Sequence, residues 1–264
     1  MSQDVSITCT ILGCGTSVGV PSLGMLGWGK CDTDEPKNRR QRCALLLQTA
    51  STTLLVDAGP DIRNQLLPHQ LKKLDAVLIT HTHSDHVAGM DELRTFFFPD
   101  RIKIPVYASP LHCADIETRF PYMFTQSDSS PSYFVPPLKL HQINPSDRLD
   151  IGDISIDIMH QEHGTTHSLG FLFNDKIGYS TDVIDMPDSN FDLLSGVPHW
   201  IVECLRDRPH QSHLNFEKSM AWIERVKPEK AYLTHLGLEA DYQSFLAKCP
   251  DGVEPAYDGL QFTI

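Results

Sequence analysis

Apolar residues recur at every second position in Val5, Ile7, Cys9 and Ile11, the period of a half-buried strand over 5–12. A glycine-rich loop follows, Gly13-Cys14-Gly15-Thr16-Ser17-Val18-Gly19-Val20-Pro21, and residues 22–42 are polar and irregular. Residues 44–48 and 53–56 predict a strand pair turning near Ala50-Ser51, and Asp57-Ala58-Gly59-Pro60 ends the second before a helix from Asp61. A short apolar strand over 76–80 runs directly into His81. Helical character over 91–98, a strand over 104–108 and a short helix over 111–120 come next. Pro121, Pro131, Pro136, Pro137 and Pro145 stand among aromatics in 121–148, which reads as an irregular insertion or lid-like loop.

Strict alternation returns at 154–158, and 169–173 with 176–180 predict a hairpin across Asn174-Asp175. Residues 199–204 form a strand. Asn215 can cap a helix to about Val226, with Met220, Ile223 and Val226 on one face. A strand over 231–234 ends at His235; a helix over 240–248 and a strand over 260–264 complete the pattern. Mixed strands give way to strand–helix alternation twice. Two mixed sheets packed face to face with helices outside, an α/β fold of the αββα sandwich type, accommodate this as one domain over 1–264.

With 41% hydrophobic and 21% charged residues over 264 positions, the chain can bury a core without covalent staples. No window approaches about 18 consecutive apolar residues, so a membrane span is not expected. Residues 1–4 lack the basic start of a signal peptide. The seven cysteines are odd in number and contain no C-x-x-C, which excludes a disulfide framework and a zinc ribbon and fits a reducing, cytoplasmic setting. The formal net charge of −12 repels polyanions, so a long nucleic acid is not the expected partner unless a basic patch or bound metal reverses the field locally. A small anion held by metal stays open, as does a homodimer.

Histidine is the unusual residue, with 13 copies gathered around 81–86, 160–167 and 210–213. His81-Thr82-His83-Ser84-Asp85-His86 places three imidazoles and a carboxylate just beyond a buried strand. Neutral imidazole is the commonest ligand for borderline metals. Continued strand geometry would point His81 and His83 to one side, while Asp85 and His86 on the following turn could face a second ion. The bland alternative is a polar helix N-terminus with incidental histidines.

The segment resembles the H-x-H-x-D-H signature of the metallo-β-lactamase superfamily, and further members of that pattern follow in order. Asp57, ending Leu54-Leu55-Val56-Asp57-Ala58-Gly59, is similar to the aspartate that supports the histidine loop. His163, seven residues before Gly170, resembles the next ligand; its neighbours His160 and His167 read as surface or supporting residues. Asp182 in Tyr179-Ser180-Thr181-Asp182 resembles the bridging carboxylate, and His235 in Tyr232-Leu233-Thr234-His235 the last histidine. The resemblance implies two divalent ions, zinc or manganese. His81, His83 and His163 would hold one, Asp85, His86 and His235 the other, with Asp182 between them and Asp57 behind. Such a pair can activate a shared hydroxide near neutral pH and clamp an anionic substrate.

Within that superfamily the N-terminal loop and Arg39–Arg42 resemble the branch that cleaves phosphodiesters, which includes tRNA 3′-processing endonucleases and phosphoribosyl 1,2-cyclic phosphate phosphodiesterases. Trp28-Gly29-Lys30-Cys31-Asp32, Ser212-His213-Leu214-Asn215 and Ala256-Tyr257-Asp258-Gly259-Leu260 are closer to the second group. That likeness implies hydrolysis of a small cyclic or nucleotide-like phosphate ester. It also assigns His213 a catalytic role, binding phosphate or protonating the leaving alkoxide. Asp85 is a metal ligand first, with proton transfer as a secondary role. Ser17, Arg39 and Arg40 are candidate substrate contacts, although the basic run could equally be a solvated strand edge or pair with the many carboxylates. The group's structural zinc is not expected here, since the region keeps only Cys31 and position 238 is Leu238. A tRNA endonuclease would need a basic docking arm, which the chain lacks. A thioesterase or lactamase fits the N-terminal loop and His213 less well, and the complete ligand set argues against a non-catalytic module.

Overall fold

Runs of aliphatic residues too apolar for a one-sided strand build the centre of the molecule, a computed structural model that describes residues 5–264 except 129 and 132. The signal-peptide reading of residues 1–4 falls outside that range. The first sheet contains β1 (Thr8–Gly13), β2 (Ala44–Gln48), β3 (Thr53–Val56), β4 (Ala76–Leu78), β5 (Ile104–Ala108) and β6 (Leu138–Gln142). The second contains β7 (Arg148–Ile151), β8 (Ile154–His163), β9 (Thr166–Phe173), β10 (Ile177–Ser180), β11 (His199–Glu203), β12 (Lys230–Thr234) and β13 (Val253–Pro255). β14 (Leu260–Thr263) returns to the first sheet and pairs antiparallel with β1. The strand orders are β14-β1-β2-β3-β4-β5-β6 and β13-β12-β11-β10-β9-β8-β7.

Alternate residues of the same strands serve two cores. Cys9, Ile11, Leu45, Leu47, Leu54 and Val56 face inward and meet Ile156, Ile158, Phe171, Phe173, Tyr179 and Ile201 of the other sheet. Leu12, Leu46, Leu55 and Val77 point outward under helical segments, among them α1 (Ile62–Leu66), α2 (Ser84–Val87), α3 (Pro110–Arg119) and α4 (Pro121–Phe124). On the opposite outer face, Trp200, Val202 and Leu233 pack beneath α5 (Asp188–Leu194), α6 (Phe216–Val226) and α7 (Tyr242–Leu246). This is the expected αββα sandwich. Burial on both faces explains why β2, β3 and β4 read as continuous apolar runs.

Each sheet begins antiparallel and turns parallel: β3, β4, β5 and β6 run parallel in one, β10, β11, β12 and β13 in the other. Parallel strands send their carboxyl ends to a common edge, where loops can gather functional side chains. The hairpin across Asn174-Asp175 forms as predicted, with both residues at positive φ (48° and 55°), the signature of a type I′ turn.

Differences arise where the sequence pattern is weak. Residues 121–148 are not wholly irregular, because Leu138–Gln142 adds as a parallel edge strand to β5. Main-chain pairing with β9 carries β8 on to His163, well past the alternating stretch. The short β7, β13 and α5 carry too few residues to show a period. The predicted helix over 91–98 is a 3₁₀ segment, Met90–Phe96.

The β3–α1 loop is pressed against the His81–His86 segment. Ala58 N donates to His86 O and Gly89 N to Ala58 O, both at 2.8 Å. A methyl group on Gly59 would stand 2.0 Å from the Asp85 carbonyl oxygen. Gly59→Ala is therefore expected to lose about 1–3 kcal/mol through forced backbone displacement. An unchanged urea midpoint would contradict this close approach.

Candidate metal centre

β4 is an uninterrupted apolar strand, and its continuation through Ile79 and Thr80 delivers His81, fully buried, to the sheet edge. One turn of helix, α2, then turns Asp85 and His86 to the same place. Arg119 of α3 braces this segment from outside: Nη1 donates to the Thr82 carbonyl, and Nη2 to Ser84 Oγ at 3.1 Å. His163 arrives at the end of β8. Asp182 and His235 follow β10 and β12.

The structure brings the seven predicted ligands together. Donor atoms of His81, His83, His163 and Asp182 lie within 4.8 Å of one another, as do those of Asp85, His86, Asp182 and His235. Asp182 belongs to both groups. Its Oδ1 is 3.9 Å from His81 Nε2, 3.7 Å from His163 Nε2 and 3.5 Å from His235 Nε2. Its Oδ2 is 3.1 Å from His86 Nε2 and accepts from Thr181 Oγ1 at 2.9 Å.

Three residues here adopt left-handed backbone conformations: Asp57 (φ 65°), Asp182 (φ 52°) and His235 (φ 56°). Each follows a strand, β3, β10 or β12, and the sharp turn swings its side chain back toward the cluster. Such conformations cost on the order of 1–3 kcal/mol each and persist because the flanking strands are locked in the core.

The outer nitrogens of the imidazoles are fixed from behind. Asp57, fully buried, accepts from Thr80 N at 2.8 Å and lies 2.7 Å from His86 Nδ1. His163 Nδ1 donates to the Ser212 carbonyl at 2.9 Å. Both contacts leave Nε2 directed at the cluster. The buried Nε2 atoms of His81, His86 and His235 have no hydrogen-bond partner. An unsatisfied buried polar atom is costly, and three together with a shared carboxylate fit a bound cation. The mixed imidazole–carboxylate set suits zinc, manganese or iron(II).

Electrostatics separate the histidines. Burial pushes His81 well below the usual imidazole range. Burial would lower His86 too, but Asp182, Asp57 and Asp85 hold it well above that range. His235 is likewise pulled down by burial and raised by Asp182 and Glu203, reaching about 9. Asp182 is held well below the ordinary carboxylate range, since His235, His86 and His81 outweigh its burial.

Glu203 is a candidate site residue that the sequence reading missed. At the end of β11 and fully buried, it lies 2.5 Å from His213 Nδ1 and 3.0 Å from His235 Nδ1, and accepts from Val183 N. The available signal was its position, since it ends an apolar strand as Asp182 and His235 follow theirs. His213 stacks on His235 with ring centroids 4.8 Å apart, and its Nδ1 is 3.9 Å from Asp182 Oδ1.

A cavity of about 860 Å³ opens beside the cluster and is lined by His213, His235 and Ser17. Arg39 and Arg40 are not among its lining residues. Arg39 stacks over Trp28, 4.8 Å from the ring centroid. Arg40 exchanges two 2.8 Å backbone hydrogen bonds with Val20. That pairing turns its side chain inward, where it is 2% exposed and donates to Asn38 Oδ1 at 3.1 Å. Lys30, Arg206 and Arg208 line the cavity instead, together with His210, which reads from sequence as an ordinary loop histidine. His160 and His167 sit outside the cluster, on Glu162 and Ser109, and His199 stacks on Phe262. Where the resemblance raised a structural zinc, Lys30 N donates to Leu238 O at 2.7 Å and Asn38 Nδ2 to Asp241 Oδ2 at 2.7 Å, tying the two segments together.

A family profile described as a beta-lactamase superfamily domain matches residues 52–236. A curated relative named octanoyltransferase, from Porphyromonas gingivalis, is 32% identical over 259 residues, covering 97% of this chain and 51% of its own. A ribonuclease Z from Bradyrhizobium is 32% identical over 145 residues, 52% of this chain and 46% of its own. The chain thus spans about half the length of the curated relatives it matches. A crystal structure of a new diphosphatase from the PhnP family superposes with a TM-score of 0.88 at 28% identity, covering 98% of this chain and 97% of that one. Human tRNase Z, short form, shares the fold at a TM-score of 0.70 and 19% identity, over 97% and 98% of the two chains.

Asp57→Asn keeps the side-chain shape but weakens the grip on His86. It is expected to lower metal affinity about 10- to 100-fold in chelator competition. Unaltered affinity would remove Asp57 from a supporting role.

Proposed function

The chain belongs to the metallo-β-lactamase superfamily, and we propose that it is a dinuclear phosphodiesterase acting on a small cyclic or nucleotide-like phosphate ester. That it is a metal-dependent hydrolase follows from the family, from the diphosphatase and ribonuclease relatives and from a His/Asp cluster able to hold metal. The observation that carries the finer reading is the pair of donor groups sharing Asp182, with His213 stacked on His235 where the adjoining cavity opens.

His81, His83 and His163 would hold one divalent ion, Asp85, His86 and His235 the other, and Asp182 both. When bound, the ions supply Lewis acidity and activate water near neutral pH. The chain's own residues do the rest. Glu203 accepts the Nδ1 proton of His213 and leaves Nε2 free to bind a phosphoryl oxygen or to carry a proton to the leaving oxygen. The same carboxylate holds the ring in one orientation, much as the aspartate does in a catalytic triad. Ser17, within the glycine-rich loop at the cavity wall, is available to hydrogen-bond the ester. Asp85 remains a ligand first and a proton acceptor second.

The cavity volume lies in the range of small-molecule sites. The formal charge of −12 opposes a long polyanion. Among the described residues no helix is long and apolar enough to cross a membrane. The ribonuclease Z relatives keep tRNA 3′-end cleavage as the second reading. The name octanoyltransferase belongs to a relative of which this chain covers only 51%.

The metal-loaded protein is expected to hydrolyse bis(p-nitrophenyl) phosphate, to lose that activity on chelation and to leave acyl-glutathione thioesters intact. Thioester hydrolysis without diester hydrolysis would overturn the reading, and cleavage of a precursor tRNA would move it to the second. His213→Ala should retain its metal and lose about 10²- to 10⁴-fold in kcat. Full activity in that variant would remove His213 from the chemistry.

A further inference from the structure

The reaction as described leaves one imidazole of the cavity without a task. His210 lines the same cavity as His213, yet among the described residues no donor group able to hold metal includes it. Its ring is fixed through Ser212. Ser212 N donates to His210 Nδ1 at 3.3 Å, and Ser212 Oγ stands 3.2 Å from the same nitrogen. The Ser212 carbonyl accepts from His163 Nδ1, so one residue orients a metal donor and His210 together. The loop that carries both is closed at its neck, where Leu205 N donates to Leu214 O at 2.9 Å. Ser212 also packs over Gly164, on which a methyl group would stand 2.8 Å from Ser212 Cβ.

These contacts decide where the ring proton sits. A main-chain amide can only donate, so His210 Nδ1 accepts, and the neutral ring carries its hydrogen on Nε2. Burial, with His213 and Arg206 close by, holds His210 below the usual imidazole range, which favours that neutral ring. Glu203 imposes the opposite tautomer on His213, because it takes the Nδ1 hydrogen and leaves Nε2 with a lone pair. The two rings lie 4.9 Å apart between centroids. One offers a hydrogen at Nε2 and the other a lone pair. Among the described residues, nothing hydrogen-bonds His210 Nε2, whose ring is held only through Nδ1.

We propose that His210 is a further catalytic residue, a neutral donor whose Nε2–H meets a non-bridging oxygen of the phosphoryl group under attack. That oxygen gains negative charge as the nucleophile adds, so the bond is stronger in the transition state than in the bound ester. No proton leaves His210; His213 remains the group that carries one to the leaving oxygen. A neutral donor also spares His213 the repulsion of a second cation at its side. The assignment rests on the phosphodiesterase reading for the identity of the reacting group.

Glutamine and asparagine substitutions separate this role from a structural one. The glutamine amide reaches as far as Nε2 and keeps the donor. The asparagine side chain reaches only as far as Nδ1 and keeps the acceptor for Ser212. With manganese-loaded protein and bis(p-nitrophenyl) phosphate, His210→Ala and His210→Asn are expected to lose about 10- to 100-fold in kcat at nearly constant KM. His210→Gln should stay within about fivefold of the unaltered protein. Rescue by asparagine but not glutamine would assign His210 to holding Ser212 and overturn the proposal. Undiminished rates in every variant, equal losses in all three, or a rise in KM alone would do the same. Proton–nitrogen correlation spectra of the histidine rings test the tautomer in the unaltered protein without turnover. The Nε2–H form is expected for His210, and the Nδ1–H form would overturn the proposal by itself. Failure of the phosphodiesterase reading looks different: the unaltered loaded protein then leaves the diester intact, and the proposal falls with it. Hydrolysis by the unaltered protein with the wrong variant pattern removes His210 alone.

Discussion

One buried carboxylate sets the terms for the site. Asp182, 2% exposed, lies within 3.9 Å of nitrogens from five histidines: His81, His86, His163, His213 and His235. A carboxylate removed from water is costly unless compensated, and so is each imidazole nitrogen left without a partner. Neither can be relieved by moving away, because Asp182 sits on a left-handed turn after a core strand and the histidines come from other strand ends. Positive charge supplied from solution is the arrangement that satisfies all of them together.

The sandwich makes this convergence possible. Two sheets that turn parallel toward one edge deliver Asp57 and His81 from one side and Asp182, Glu203 and His235 from the other. The shared core between the sheets holds those ends in register. Asp57 and Glu203 then play corresponding parts, each a fully buried carboxylate bonded to backbone amide and to the rear nitrogen of an imidazole. The difference lies in what the imidazole faces. His86 turns to the metal donors, whereas Glu203 reaches both His235, a metal donor, and His213, which lines the open cavity.

How much of this was legible in the chain depended on distance along it. His81, His83, Asp85 and His86 announce themselves because their donors fall within six positions beyond an apolar strand. Asp182 and His235 are single residues at strand ends, and only resemblance to a family lifted them above ordinary strand caps. Glu203 occupies an equivalent place and went unnoticed, since a lone acidic residue after His199-Trp200-Ile201-Val202 carries no local pattern. The basic run at 39–42 was ambiguous for the opposite reason: local charge density fits a phosphate contact and a structural role alike, and pairing with Val20 accompanies an inward Arg40. The cations that line the cavity were concealed by alternation, with Arg206 and Arg208 at its wall and Asp207 between them paired with Lys248. Periodicity located most strands but lost the edge strand at 138–142, where prolines precede a stretch covered on one side only.

Anomalous diffraction from crystals grown with manganese would probe the central claim most directly. Two anomalous peaks should flank the Asp182 carboxylate, one among His81, His83 and His163 and the other among Asp85, His86 and His235. A single peak, or density remote from these side chains with their nitrogens rotated away, would contradict a shared two-ion centre.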